Sequence, residues 1–184
     1  GGWIGYLILL IGIIGLLIAL QRFVSLTVMG QGVAKQQKDT TADTKNPLGR
    51  ILSVYSDVLI NDIETLTLKL DEAILREVPK IERGLITLAI LAAIAPMLGL
   101  LGTVSGMIET FQSITLFGTG DPKLMSGGIS QALVTTELGL AVAIPLLLIH
   151  SLLSGKSNRL VQLLDEESAA LIARNAEKRD DSIK

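Results

Sequence analysis

The chain contains no cysteine, which removes disulfides, thiol nucleophiles and cysteine-ligated metal centres from consideration. Its one histidine, His150, has no second histidine and no acid within a helical turn, so it suggests no metal site and reads as an interfacial side chain. No nucleophile triad, phosphate loop or metal-ligand cluster occurs anywhere, which argues against a soluble-type active site and against any cofactor. Charge is scarce as well: only 18% of the residues are charged, and the formal net charge is −2. Of the 16 Lys and Arg residues, 14 lie in Gln31 to Arg83 or Gly155 to Lys184, where acids almost match them. Neither segment is therefore a nucleic-acid patch.

What the chain has in quantity is apolar sequence. Of 184 residues, 49% are hydrophobic. The mean hydropathy of +0.54 is too high for an ordinary soluble domain. Three segments are long enough and uncharged enough to cross a bilayer: Trp3 to Leu20, Leu85 to Ile108 and Ile129 to Leu153. The second extends to Phe117 if Glu109 is tolerated. The expected fold is an all-α membrane protein with three transmembrane helices and long cytoplasmic helical extensions. The positive-inside bias puts the amino terminus outside, the carboxyl terminus inside, and the link from Gly118 to Met125 outside. The first span has neither a basic leader nor a start Met, so it reads as a true span whose upstream sequence is missing rather than a signal peptide.

The expected organisation is transmembrane helix 1 over 1–29, then a cytoplasmic linker and amphipathic helix over 30–84. Transmembrane helix 2 follows over 85–117, a short periplasmic loop over 118–126, transmembrane helix 3 over 127–154 and a cytoplasmic helix over 155–184. Gly30, Gly32, Asn46, Pro47 and Gly49 act as breakers in the linker. Leu59, Ile63, Leu66, Leu70 and Ile74 then form an apolar helical seam among Asp62, Glu64, Lys69, Asp71, Glu72 and Arg76. Pro79 marks a kink before one continuous rod enters the second span. In the tail, Leu160, Leu163, Leu164, Leu171 and Ile172 share a face, and the residues beyond Glu177 fray. Two such seams predict a helical bundle below the membrane.

Within the spans, Gly99, Gly102, Thr103, Gly106, Thr110 and Ser113 form a stripe of small and hydroxyl residues at steps of three and four. The third span answers with Gly128, Ala132, Thr135, Thr136, Gly139 and Ala143. Small stripes let helix backbones approach closely in lipid, and this is one reading of Gly99, Gly102, Gly106, Gly139 and Ala132. The other, carried by Thr103, Thr110, Thr135 and Thr136, is a polar-lined interior. Glu137 sits deep in an apolar run, where an ionisable group is costly, and it reads either as a proton-handling group or as an interhelical hydrogen bond. Glu109 either lies at comparable depth or marks the point where its span meets the outer headgroups. Pro96 and Pro145 can bend their spans and free backbone carbonyls.

The runs LGLLGTVSGMIETFQSI and SGGISQALVTTELGLAVAIP resemble the signature region of the MotA/TolQ/ExbB proton-channel family, with ExbB-like members closest. The ExbB-like resemblance extends to members with an added periplasmic domain upstream. It implies a multi-pass subunit of the bacterial inner membrane, surrounded by membrane lipid. Five copies would enclose a dimer of an ExbD-like single-span partner whose transmembrane Asp carries protons, and a TonB-like protein would pass the work to outer-membrane transporters. TolQ-like envelope maintenance, a MotA-like stator and a non-conducting structural scaffold are the alternatives. Thr103 and Thr136 match the family's two pore-facing threonines. One departure stands out: the acidic position of the best-known ExbB third span is Gln131 here, and Glu137 lies six residues away on another face.

Overall fold

The computed structural model describes residues 2–39, 41–57, 63–118 and 122–183. They form five helices: α1 (Gly2–Gln36), α2 (Pro47–Asp57), α3 (Ile63–Glu82), α4 (Leu85–Phe117) and α5 (Pro122–Ile183). No strand occurs among the described residues. Leu59 and Asp62 of the expected seam and residues 119–121 of the expected outer link fall outside them. Helices α1, α4 and α5 are each long and apolar enough to cross a membrane.

The chain divides into two compact units. The first comprises Gly1–Gln21 with Gly84–Leu152, and the second comprises Arg22–Arg83 with Leu153–Lys184. In the first unit the segments of α1, α4 and α5 bury mostly small or branched residues, among them Ile8, Leu88, Ala92, Ala95, Ala132 and Ala143. Large apolar side chains such as Leu17, Met97, Leu133 and Leu148 are exposed. That inside-out distribution suits lipid, where apolar exposure carries no penalty and association depends on close packing. Glycine supplies the closeness on α1: a Cβ at Gly12 would lie 3.1 Å from Val142, and one at Gly15 would lie 2.8 Å from Leu146.

The second unit has an ordinary apolar core built from Leu48, Ile51, Leu66, Leu70, Ile74 and Ile81, with Leu160, Leu164 and Leu171 also buried. Burial of Leu66, Leu70 and Ile74 on one face of α3 follows from their helical spacing. Polar groups set the connections. Asn46 caps α2 by accepting the Gly49 N–H through Oδ1 at 2.7 Å, and Pro47 supplies the preorganised first helical residue. Gln36 is buried and holds the turn before it, donating to the Thr41 carbonyl at 2.8 Å and accepting the Asp43 N–H at 2.8 Å. Arg50 of α2 grips Glu77 of α3 with two hydrogen bonds, 2.9 and 2.6 Å. Lys80 adds a third at 2.8 Å. The Arg22 guanidinium of α1 donates to the carbonyls of Lys80 and Ile81 in the last turn of α3, satisfying groups that a helix end leaves open.

Three local expectations change. Helix α1 continues through Gly30 and Gly32 to Gln36, because burial of Val33 and Gln36 outweighs the ~1 kcal/mol that each glycine costs a helix. Gly32 has a further use, since a Cβ there would come within 3.0 Å of Asn46 Cβ. Second, α3 and α4 are not one rod. Pro79 stays inside α3, and the break falls at Gly84, whose left-handed φ of 79° glycine adopts without strain. Third, the backbone is helical through Ile183 rather than frayed beyond Glu177.

Candidate functional site

Helices α4 and α5 approach so closely in the first unit that side chains larger than hydrogen do not fit at several positions. A Cβ on Gly99 would lie 3.0 Å from the Thr135 carbonyl oxygen, and one on Gly102 would lie 2.6 Å from Thr135 Cβ. At Gly106 the obstacle is Ala132 Cβ at 2.9 Å, and at Gly139 it is the Ala95 carbonyl oxygen at 2.7 Å. The order of these pairs is antiparallel. The small stripes on the two helices therefore face each other, and they put α5 backbone against α4 backbone.

That proximity brings the hydroxyls together. Thr103 on α4 and Thr136 on α5 are in direct Oγ1 to Oγ1 contact. Both also reach the Gly99 carbonyl oxygen, Thr103 at 3.1 Å along its own helix and Thr136 at 3.2 Å across the interface. The Ala132 carbonyl lies 3.4 Å from the Thr103 hydroxyl. The two side chains are half-buried. Each hydroxyl has one proton and two lone pairs, so a pair that shares one carbonyl retains acceptor capacity for an outside donor and can redirect a proton toward an outside acceptor. The site is uncharged and polar, and it remains partly exposed on the single chain.

The other candidates separate from this pair. Thr135 is 1% exposed and donates to the Ala132 carbonyl at 2.7 Å, while Thr110 is 3% exposed and donates to the Gly106 carbonyl at 2.8 Å. Both hydroxyls are satisfied by their own helices inside the α4–α5 contact, with Thr135 against Gly102 and Thr110 against Gly128. Neither is on an outward face of the single chain. Glu137 is exposed on α5, and its carboxylate has no hydrogen bond or ion pair among the described residues. Ser113 donates to its own helix at the Glu109 carbonyl, 2.9 Å away. Sequence reasoning passed over Ser105, which lines one small cavity with Glu109, Gln131, Gly102, Gly106 and Thr135. The available signal was the one-turn spacing of Ser105 and Glu109 on the same span.

The second unit carries the charged network. Burial works against ionisation of Glu77, but hydrogen bonds from Arg50 and Lys80 prevail and hold its carboxyl below the usual glutamate range. The same hydrogen bond to Glu77 raises Arg50 above its ordinary value. This ion pair joins α2 to α3 and does not belong to the threonine site.

Residues 43–166 match the MotA/TolQ/ExbB proton channel family. The chain is similar to the putative biopolymer transport protein ExbB homolog of Methanothermobacter thermautotrophicus, with 33% identity over 172 residues that cover 85% of this chain and 61% of that protein. It is also similar to the biopolymer transport protein ExbB of Xanthomonas campestris pv. campestris, with 33% identity over 52% of this chain and 38% of the relative. The Tol-Pal system protein TolQ of Pseudomonas aeruginosa is 31% identical over 59% of this chain and 48% of its own length. The chain thus spans less than two thirds of each of these relatives. The match covers α4 and the membrane portion of α5, including both threonines of the site. With three apolar helices and this match, the chain is a multi-pass inner-membrane protein that belongs to the MotA/TolQ/ExbB proton channel family.

Proposed function

We propose that the chain is a subunit of an ion-driven membrane motor, in which Thr103 and Thr136 face an ionisable side chain of a partner helix. The observation that carries this reading is the direct contact of the two hydroxyls across α4 and α5. The spans contain no Asp and the threonine pair carries no charge, so the charge that this pair would solvate comes from outside the pair. A single-span, ExbD-like partner with a transmembrane Asp supplies it. A protonated Asp would donate to the Thr hydroxyl oxygens, and an ionised one would accept from them. Either form is then solvated in a setting where burial of an Asp at the centre of a spanning helix costs about 2.5–3.5 kcal/mol.

In this account five copies enclose a partner dimer, the amino terminus faces the periplasm, and the proton motive force is coupled through a TonB-like protein to outer-membrane transport. The Lys and Arg residues gathered in 31–83 and 155–184, both on the inner side in this reading, support that orientation. Thr110 and Thr135, buried and satisfied within their own chain, contribute to the polar interior by packing α4 against α5 rather than by lining the path. Gly99, Gly102, Gly106, Gly139 and Ala132 hold the spacing that lets the threonines meet. Exposed Glu137 serves at a contact with a neighbouring copy, where a second helix satisfies its carboxylate.

Expression of the Thr136→Val variant with an ExbD-like partner, in cells grown on an iron source that needs TonB, tests the reading. The expected result is an assembled complex and no growth, whereas growth at the unsubstituted rate would end the assignment. A non-conducting scaffold predicts no effect of Thr136→Val on growth.

A further inference from the structure

Two surfaces of the second unit complement each other. The first is an open groove of about 380 Å³ between α1 and α5. Its floor is apolar, with Leu26, Val33, Ala34, Leu160 and Leu163, and Gly30 keeps it open: a Cβ there would meet nothing within 4 Å. Both charged residues of the lining, Lys156 and Arg159, are cationic and exposed. The Lys156 ammonium lies 4.2 Å from the centroid of the Phe23 ring, which places the positive end of the groove next to Arg22. Glu167, which accepts a hydrogen bond from Gln37 at 2.8 Å, lies at the opposite end.

The second surface is the outer face of α3. Leu66, Leu70, Ile74 and Ile81 turn to the core, which leaves Leu68 and Leu75, two turns apart, on the opposite face with 64% and 72% exposure. Exposed Pro79 continues the stripe. Exposed Asp71 and Glu82 flank it on one side; on the other are Lys69 and Arg76, the latter paired with Glu72 at 2.6 Å. Unlike the exposed leucines of the first unit, these two stand among charges, where apolar surface in water is costly.

The two surfaces lie at the same height. Arg22 of α1 donates to the carbonyls of Lys80 and Ile81, which sets the levels of the antiparallel helices α1 and α3. From Arg22, Gly30 is roughly 12 Å and Ala34 roughly 18 Å along α1; from Ile81, Leu75 is roughly 9 Å and Leu68 roughly 20 Å back along α3. Within one copy the surfaces cannot meet, because α3 turns its other face to its own core. A rotation about an axis along α1 keeps every residue at its own level, so the stripe of one copy meets the groove of the next at matching height.

We infer that α3 of one copy seats Leu68 and Leu75 in the α1–α5 groove of the next copy, with Glu82 toward Lys156 and Arg159. Opposite charges at that end fix the register. The contact joins two different surfaces, so its repetition closes a ring. It rests on the reading above that copies of the chain encircle a partner, and it assigns the surfaces that join them; the threonine pair plays no part in it.

The absence of cysteine makes disulfide trapping clean. The full chain carrying both Gly30→Cys and Leu75→Cys is oxidised in membranes with copper phenanthroline, beside each single variant, and run on a non-reducing gel. Open space at Gly30 and the exposure of Leu75 let both positions accept the change. The expected result is a ladder at multiples of the chain mass from the double variant, monomer from either single variant, and dimer when the two single variants share a membrane. Gly30→Trp, which fills the groove, is expected to lose the multi-copy particle in native mass spectrometry. No ladder and no dimer, with a multi-copy parent particle, would overturn this interface and leave the ring standing. A parent particle with one copy of the chain would remove both. A phospholipid mass held by the parent and lost from Gly30→Trp, again without a ladder, would give the groove to lipid and overturn the assignment.

Discussion

Gly102 and Thr135 occupy each other's space: a Cβ on the glycine would lie 2.6 Å from both Cβ and Oγ1 of the threonine. The distance between α4 and α5, and with it the meeting of Thr103 and Thr136, depends on this absence of a side chain. Gly102→Ala should push the helices apart at a cost of about 1–3 kcal/mol, the usual penalty for overpacking. Gly127, on α5 with open space around it, provides the contrast. Gly127→Ala should leave stability unchanged or raise it by up to ~1 kcal/mol through helix propensity. Thermal unfolding in detergent of the two variants checks the difference.

Glu77 makes the second unit sensitive to acid. Its carboxyl is held below the ordinary 4.5, so the unfolded chain binds the proton more readily than the folded one. Stability from this group is complete above the ordinary glutamate range, and it is lost as pH falls through the lowered value. Glu77→Gln should therefore flatten the fall in unfolding temperature on the acid side of neutrality. At neutral pH, Glu77→Ala should cost about 1–3 kcal/mol, because it strands Arg50 and Lys80. The figure stays below that of a fully buried pair because the Arg50 side chain is 33% exposed. Unfolding curves recorded across acid pH, variant against parent, decide both points.

At Gly84 the prediction rests on backbone alone. Its φ of 79° is left-handed, so Gly84→Ala should destabilise by about 1–2 kcal/mol, while Gly84→Asn, a residue that tolerates this conformation, should lose less. The ranking Gly, Asn, Ala in unfolding temperature is the expected outcome. Equal values for Ala and Gly would mean that the turn relaxes into helix.

How much of this was readable in the residues depends on which force decided each feature. The three spans were legible because an apolar run of bilayer length has few other solutions, and the seam Leu66, Leu70, Ile74 was legible because period 3.6 maps directly onto one face. The end of α1 was not, since local breaker signals at Gly30 and Gly32 lost to burial of Val33 and Gln36. The residues suggest a kink at Pro79 within one continuous rod, whereas the helix breaks at Gly84, because proline announces a kink in sequence and left-handed glycine is silent. Thr135 and Thr136 are neighbours about 100° apart around the helix, and which one is shut inside depends on a helix–helix rotation that no single stripe encodes. The same is true of the small cavity beside Ser105, whose polar residues come from two different helices.

Glu137 tests the division between assembly and conduction. It is exposed on α5 and has no hydrogen bond or ion pair among the described residues. Glu137→Gln should shift the purified particle toward smaller species in native mass spectrometry, with proton flux per intact particle unchanged. Intact particles with reduced flux would instead put Glu137 on the path.

The central claim is that the hydroxyl pair of Thr103 and Thr136 solvates a moving charge. Proton flux into liposomes that contain the chain together with an ExbD-like partner, driven by an imposed potential, measures it most directly. Thr136→Val keeps the shape and removes the hydroxyl, and Thr136→Ser keeps the hydroxyl. The account predicts flux at the level of protein-free liposomes for Thr136→Val and substantial flux for Thr136→Ser, with the particle intact in both. Undiminished flux in an intact Thr136→Val complex would contradict it.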